Sequence, residues 1–151
     1  MKKKIFILMT LFSLIPITNA ELNVYDSSGE KHILSTEKLL SMPQKTITTK
    51  LPWNETASEY RGITMDTLLT EVNVSIHKQV TFVALNDYKI SVPKEDFSEY
   101  EPVIAIKENG KLMSIREKGP YWLIFPVSTH PEIDNTDYHA KMIWQIKEVH
   151  F

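Results

Sequence analysis

Apolar residues in this chain come in short runs, separated by polar stretches in which Gly, Pro, Asn and Asp are frequent. That rhythm predicts short strands joined by turns, with a few brief helices between them. Leu22 to Tyr25 reads as a first strand and Ser27-Ser28-Gly29 as the turn after it. Ser35 or Thr36 can cap a short helix through Leu39 and Leu40, which Pro43 stops. Thr46 to Lys50 is β-branched and strand-like, and Pro52 to Glu59 is a polar loop holding Trp53. Thr64 caps a second helix, in which Met65, Leu68, Leu69 and Val72 recur at helical spacing.

The pattern then turns to β. Val80–Leu85 and Tyr88–Val92 flank Asn86-Asp87, a hairpin turn. Pro93 to Tyr100 is polar, about one helical turn. Val103–Ile106 and Lys111–Met113 flank Asn109-Gly110, the dipeptide that best tolerates the positive φ of a type I′ turn. Tyr121–Phe125 is nearly all apolar, hence a buried strand, and Ser128–Ala140 reads as a long polar loop. Met142–Val149 closes the chain as a strand with Met142, Trp144 and Ile146 on one face. The sum is a β-rich α+β domain.

The first twenty residues change the picture. Lys2, Lys3 and Lys4 precede an apolar stretch from Ile5 to Ile17, and Thr18-Asn19-Ala20 supplies small residues at a cleavage site. This is the pattern of a secretory signal peptide, with cleavage expected after Ala20; an uncleaved anchor is the alternative. The expectation is one domain over residues 21–151 in the periplasm. The whole chain carries 17 Lys and Arg against 19 Asp and Glu; without the three leader lysines the balance is 14 against 19, a net charge of −5. An acidic chain is a poor fit to nucleic acid or to anionic lipid. There is no cysteine, so the fold must hold without disulfides.

Candidate chemistry is sparse. None of His32, His77, His130, His139 and His150 has the i, i+4 partner of a helical zinc site. His130, Glu132, Asp134, Asp137 and His139 share a loop that reads as solvated rather than metal-binding. No serine lies in a G-x-S-x-G context. Arg116 and Lys118 would point the same way in an extended segment, next to Gly119-Pro120, and could bind an anion or pair with nearby acids. Trp122 and Trp144 lie in apolar strands and read as core. Trp53, between Pro52 and Asn54, reads equally as a stacking platform or as a loop aromatic folded back onto the domain.

The order of these features resembles the molybdopterin-binding domain of the sulfite oxidase family. The matching pieces run from about Thr46 to Val149. They are Tyr60-Arg61-Gly62-Ile63 followed by the Leu68-Leu69 helix, Ala84-Leu85-Asn86-Asp87-Tyr88, Val103-Ile104-Ala105 with Asn109-Gly110, Gly119-Pro120 with a strand ending at Pro126, and Ile143-Trp144. Two departures matter. The resemblance implies a molybdenum-ligating cysteine where this chain reads Thr48-Thr49-Lys50-Leu51-Pro52-Trp53. It also implies Pro-Gly and a basic run where this chain reads Pro126-Val127-Ser128-Thr129-His130.

Small, stand-alone exported members, the PruR-type pterin-binding regulators, are similar to this chain in the Trp53 loop and in Met113–Pro120. That resemblance implies a reduced pterin as ligand, no molybdenum and no catalysis. It also implies a partner, the periplasmic domain of a membrane diguanylate cyclase or phosphodiesterase that sets cyclic di-GMP. Trp53 would stack on the pterin and Asp87 would accept from its N–H edge. Tyr88, Arg116 and Lys118 would line the mouth with His139. Three alternatives stay open: a molybdopterin-dependent oxidoreductase or an accessory subunit of one, a hydrolase on the same scaffold, and an interaction protein whose pocket has collapsed.

Overall fold

The computed structural model describes residues 20–151, so all of the expected leader but Ala20 lies outside the described residues. Ten strands form two sheets. They are β1 (Glu21–Tyr25), β2 (Lys31–Ser35), β3 (Lys45–Thr49), β4 (Ser58–Thr64), β5 (Gln79–Ala84), β6 (Lys89–Pro93), β7 (Val103–Glu108), β8 (Lys111–Leu112), β9 (Trp122–Ile124) and β10 (Ile146–His150). One sheet has the order β2-β1-β10-β5-β6, and the other β3-β4-β7-β8, with β9 also paired to β7. β1 and β10 run parallel, which ties the first strand to the last. Four helices connect them: α1 (Thr36–Ser41), α2 (Met65–Val72), α3 (Lys94–Tyr100) and α4 (Thr136–Lys141).

Local chemistry explains most boundaries. The Ser35 side chain accepts from Lys38 N and starts α1; Thr64 does the same for α2 through Thr67 N. Asn109 and Gly110 take φ of 48° and 79° and close the β7–β8 hairpin, as a type I′ turn requires. Gly62 sits at a bulge where β4 meets β7, and a Cβ there would lie 1.9 Å from the Ile104 carbonyl oxygen. Only glycine lets the two strands approach so closely.

The core lies between the sheets. Leu22, Tyr60, Phe82, Trp122, Phe125 and Ile146 are all essentially inaccessible. The Ala20 carbonyl anchors the start of β1, accepting from Thr36 N, Thr36 Oγ1 and Tyr121 Oη at 3.0 Å each. Among the described residues no helix is long and apolar enough to cross a membrane.

Four segments differ from the sequence expectation. β2 is a strand of its own, paired along its whole length with β1. Residues 94–100 form a full helix, α3, rather than a single turn. The expected loop from Ser128 to Ala140 contains a 3-10 turn (Pro131–Ile133) and α4, because the Asn135 side chain caps α4 by accepting from Asp137 N and Tyr138 N. The last strand starts at Ile146, not Met142: Gln145 has φ of 53°, which breaks the extended run. Met142 and Ile146 are therefore buried while Trp144 stays 38% exposed, so the expected single face does not form.

Candidate ligand cleft

The loop after β3 positions Trp53 by burying its neighbour. Leu51 is wholly inaccessible, and Asn54 N returns to the Leu51 carbonyl at 3.0 Å, which forms a tight turn. Asn54 Nδ2 donates to the Tyr60 hydroxyl at 2.8 Å and fixes the turn to β4. With Leu51 in the core, the next aromatic is pushed outward, and Trp53 is 40% exposed.

Trp53 joins an aromatic cluster. Its ring lies 5.6 Å from Trp144 at 85°, 6.0 Å from Trp122 and 5.9 Å from His139. Trp122 is buried on β9, edge-on to Trp144 at 6.3 Å, and its Nε1 donates to the Met142 carbonyl at 3.0 Å. These edge-to-face spacings are the favoured arrangement for indoles. Lys118 Nζ lies 5.1 Å from the Trp122 ring centre and 5.7 Å from that of Trp144, so a cation sits against two indole faces.

The opposite wall comes from the β5–β6 turn and from α4. In the turn, Asp87 N donates to the Ala84 carbonyl and Tyr88 N to Asn86 Oδ1, with Asp87 at φ of 66°. This aims Asn86 and Tyr88 into the cleft. α4 supplies His139 and Ala140. Its other face is held by Asp96 on α3, which accepts from Tyr138 Oη at 3.1 Å and from Lys141 Nζ at 2.6 Å. Burial raises the Tyr138 hydroxyl pKa well above the usual phenol range, and the Asp96 carboxylate it bonds pushes the same way. His139 Nε2 pairs with Asp134 Oδ1 at 2.7 Å, which orients its ring.

Together Trp53, Ala84, Asn86, Tyr88, His139, Ala140, Met142, Ile143 and Trp144 enclose about 400 Å³. That volume suits a small organic molecule, with apolar walls and a few polar groups to orient it. None of these lining residues is a carboxylate.

The six expected site residues divide. Trp53, Tyr88 and His139 line this cleft, and Lys118 lies outside the lining, against its Trp144 and against the buried Trp122. Asp87 is on the turn between two lining residues but outside the lining, with Oδ1 bonded to Lys147 Nζ at 2.6 Å. That bond holds its carboxyl below the ordinary carboxylate range. Arg116 lines a different cavity of about 600 Å³, with Leu85, Met113, Ile115, Ile146 and Lys147. Arg116 and Lys118 are not in an extended segment: Ile115–Glu117 is a 3-10 turn, and Lys118 turns away at φ of 69°. The turn is closed by a reciprocal Ser114–Glu117 capping box.

Trp144 and Asn86 are lining residues that sequence reading assigned to the core and to a turn. The signal for Asn86 was its place at a hairpin tip beside Tyr88. The histidine-rich loop gathers no shared ligand set: His130 pairs with Glu132 and His139 with Asp134, separately.

The segment from Thr48 to Trp53, where the resemblance implies a metal-ligating cysteine, offers no such ligand. Thr49 is fully buried, donating from Oγ1 to Ser128 Oγ at 3.1 Å and accepting from Ser128 N at 3.0 Å. Lys50 N also donates to Ser128 Oγ, at 2.8 Å. Leu51 is in the core, and the chain has no cysteine. A soft metal held through thiolate has no donor here. Ser128, where the resemblance implies a basic run, is committed to bracing this loop.

No protein-family model matches the chain, and no curated protein matches it. Among solved structures it is similar to the crystal structure of the sulfane dehydrogenase SoxCD from Paracoccus pantotrophus. The TM-score is 0.64 at 16% sequence identity, over 87% of this chain and 37% of that chain. The likeness is one of fold, a β-rich α+β domain, and this chain spans little more than a third of its larger neighbour.

Proposed function

We propose that this protein is an exported, non-catalytic module that binds a reduced pterin in the aromatic cleft and thereby regulates a membrane partner that makes or degrades cyclic di-GMP. The observation that carries the reading is a cleft walled by Trp53, Tyr88, His139 and Trp144 on a molybdopterin-type fold whose chain has no cysteine. A pterin is flat and has a donor–acceptor edge. Trp53 and Trp144 offer it apolar ring surface, and Asn86 and His139 offer polar atoms at the rim.

The partner and the compartment rest on the resemblance and on the leader-like N-terminus. The geometry adds one supporting point. The cleft is made by a hairpin turn and a short helix on one side and a loop on the other, elements that a ligand can draw together. A ligand changes signalling only if it binds the two surface states with different affinity.

Titration of the purified protein with tetrahydrobiopterin, followed by tryptophan fluorescence, tests the reading. Three tryptophans within about 6 Å of one another predict strong saturable quenching with micromolar affinity. Absence of saturable quenching up to millimolar ligand overturns it.

A further inference from the structure

The turn joining β1 to β2 and the start of β2 hold three chemistry-bearing side chains that the cleft does not use. Asp26, Glu30 and His32 each offer one ligand atom, and these atoms all lie within 4.8 Å of one another. Among the described residues this is the group so arranged, and it is not the histidine-rich loop that the sequence draws attention to.

The Asp26 carboxylate is fixed before any ion arrives. Its Oδ1 accepts from Ser28 N at 2.8 Å, Ser28 Oγ at 2.6 Å and Glu30 N at 2.9 Å. Its Oδ2 then faces His32 Nε2 at 3.9 Å, too far for a hydrogen bond. The His32 side chain is 28% exposed, yet its Nε2 atom is covered from solvent and has no hydrogen-bond partner. A covered ring nitrogen without a partner is costly and calls for an explanation. Two ligand atoms each about 2.0–2.2 Å from one tetrahedral ion stand roughly 3.3–3.6 Å apart. The 3.9 Å gap between Nε2 and Oδ2 therefore needs to close by only a few tenths of an ångström, while Glu30, within 4.8 Å of both, swings in from solvent.

We infer that this turn is a binding site for a borderline divalent cation of the zinc type, held by His32 Nε2, Asp26 Oδ2 and the Glu30 carboxylate. One imidazole nitrogen with two carboxylates favours such an ion over calcium or magnesium, which prefer all-oxygen shells. Glu30 is exposed, so the remaining coordination position faces solvent and takes water. Bound metal would staple the turn that carries the edge strand β2. The site is independent of pterin binding.

The test uses the purified protein stripped with EDTA, desalted and titrated with zinc chloride by calorimetry. One zinc ion per chain with micromolar or tighter affinity is expected. His32→Gln and Asp26→Asn should each weaken it at least tenfold, and His77→Gln, an exposed histidine elsewhere, should leave it unchanged. In wild-type protein, zinc should shift the His32 Nε2 resonance, a readout that survives if the variants fold poorly. No zinc binding below millimolar, equal binding by His32→Gln, no shift at Nε2, or calcium binding as tightly as zinc would each overturn the assignment.

Discussion

Two cavities lie on either side of the segment from Trp144 to Lys147, and they differ in kind. The smaller, about 400 Å³, is walled by two indoles, a phenol and an imidazole. The larger, about 600 Å³, is mostly aliphatic, with Arg116 and Lys147 as its cations. Size alone would favour the second. Recognition of a flat ligand favours the first, because its rings are held by the fold: Trp144 packs edge-on against the buried, hydrogen-bonded Trp122, and Trp53 is set by the Leu51 turn. The two share their partition. The β5–β6 turn gives Leu85 to one and Asn86 and Tyr88 to the other, and the start of β10 gives Ile146 and Lys147 to one while Trp144 faces the other.

The comparison breaks most forcefully at Trp122. Trp122→Ala removes a buried indole and its bond to Met142, and should cost about 3–5 kcal/mol of stability in urea unfolding. It should also collapse the aromatic cleft while leaving the residues of the aliphatic cavity in place. A loss below 1 kcal/mol would mean that Trp122 does not organise that wall.

Next in size is Asp96→Ala. Asp96 is 6% exposed and holds both Tyr138 and Lys141. Its loss leaves Lys141 unpaired and frees α4, for a cost of about 2–4 kcal/mol. Because α4 carries His139 and Ala140, pterin affinity should fall as well. Unchanged affinity in a folded Asp96→Ala protein would show that α4 does not shape the cleft.

The smallest effect concerns the partition itself. Asp87 is fully exposed and its pKa is depressed, chiefly by the hydrogen bond from Lys147. A depressed carboxylate contributes stability above its unfolded value, near 3.8, and loses it as pH falls through the lower folded value. The Tm of wild type should therefore exceed that of Asp87→Asn slightly at pH 7, and the difference should fade below about pH 4. A difference that grows in acid would contradict the assignment.

The strands and caps were largely legible because local chemistry set them. Asn109-Gly110 demanded a hairpin, and Ser35 and Thr64 stood where caps are needed. The site was less so, because it depends on backbone turns without a hydrophobic period. The Met142–Ile146 stretch looks like alternation, but Gln145 at positive φ breaks it and leaves Trp144 half out. α4 has no buried residue to give it a stripe, and only Asn135 and Asp137 at its start marked it. The Arg116–Lys118 pairing failed on a signal present in the sequence: Ser114 and Glu117 spell a capping box, which rules out an extended segment.

The central claim, that the aromatic cleft and not the aliphatic one takes the pterin, is tested most directly by one paired titration. Calorimetry with tetrahydrobiopterin on wild type, Trp53→Ala and Arg116→Ala places a change in each cavity. Loss of stacking and contact area predicts about tenfold weaker binding for Trp53→Ala, while Arg116→Ala binds as wild type does. Binding that survives Trp53→Ala and is lost in Arg116→Ala would contradict the account.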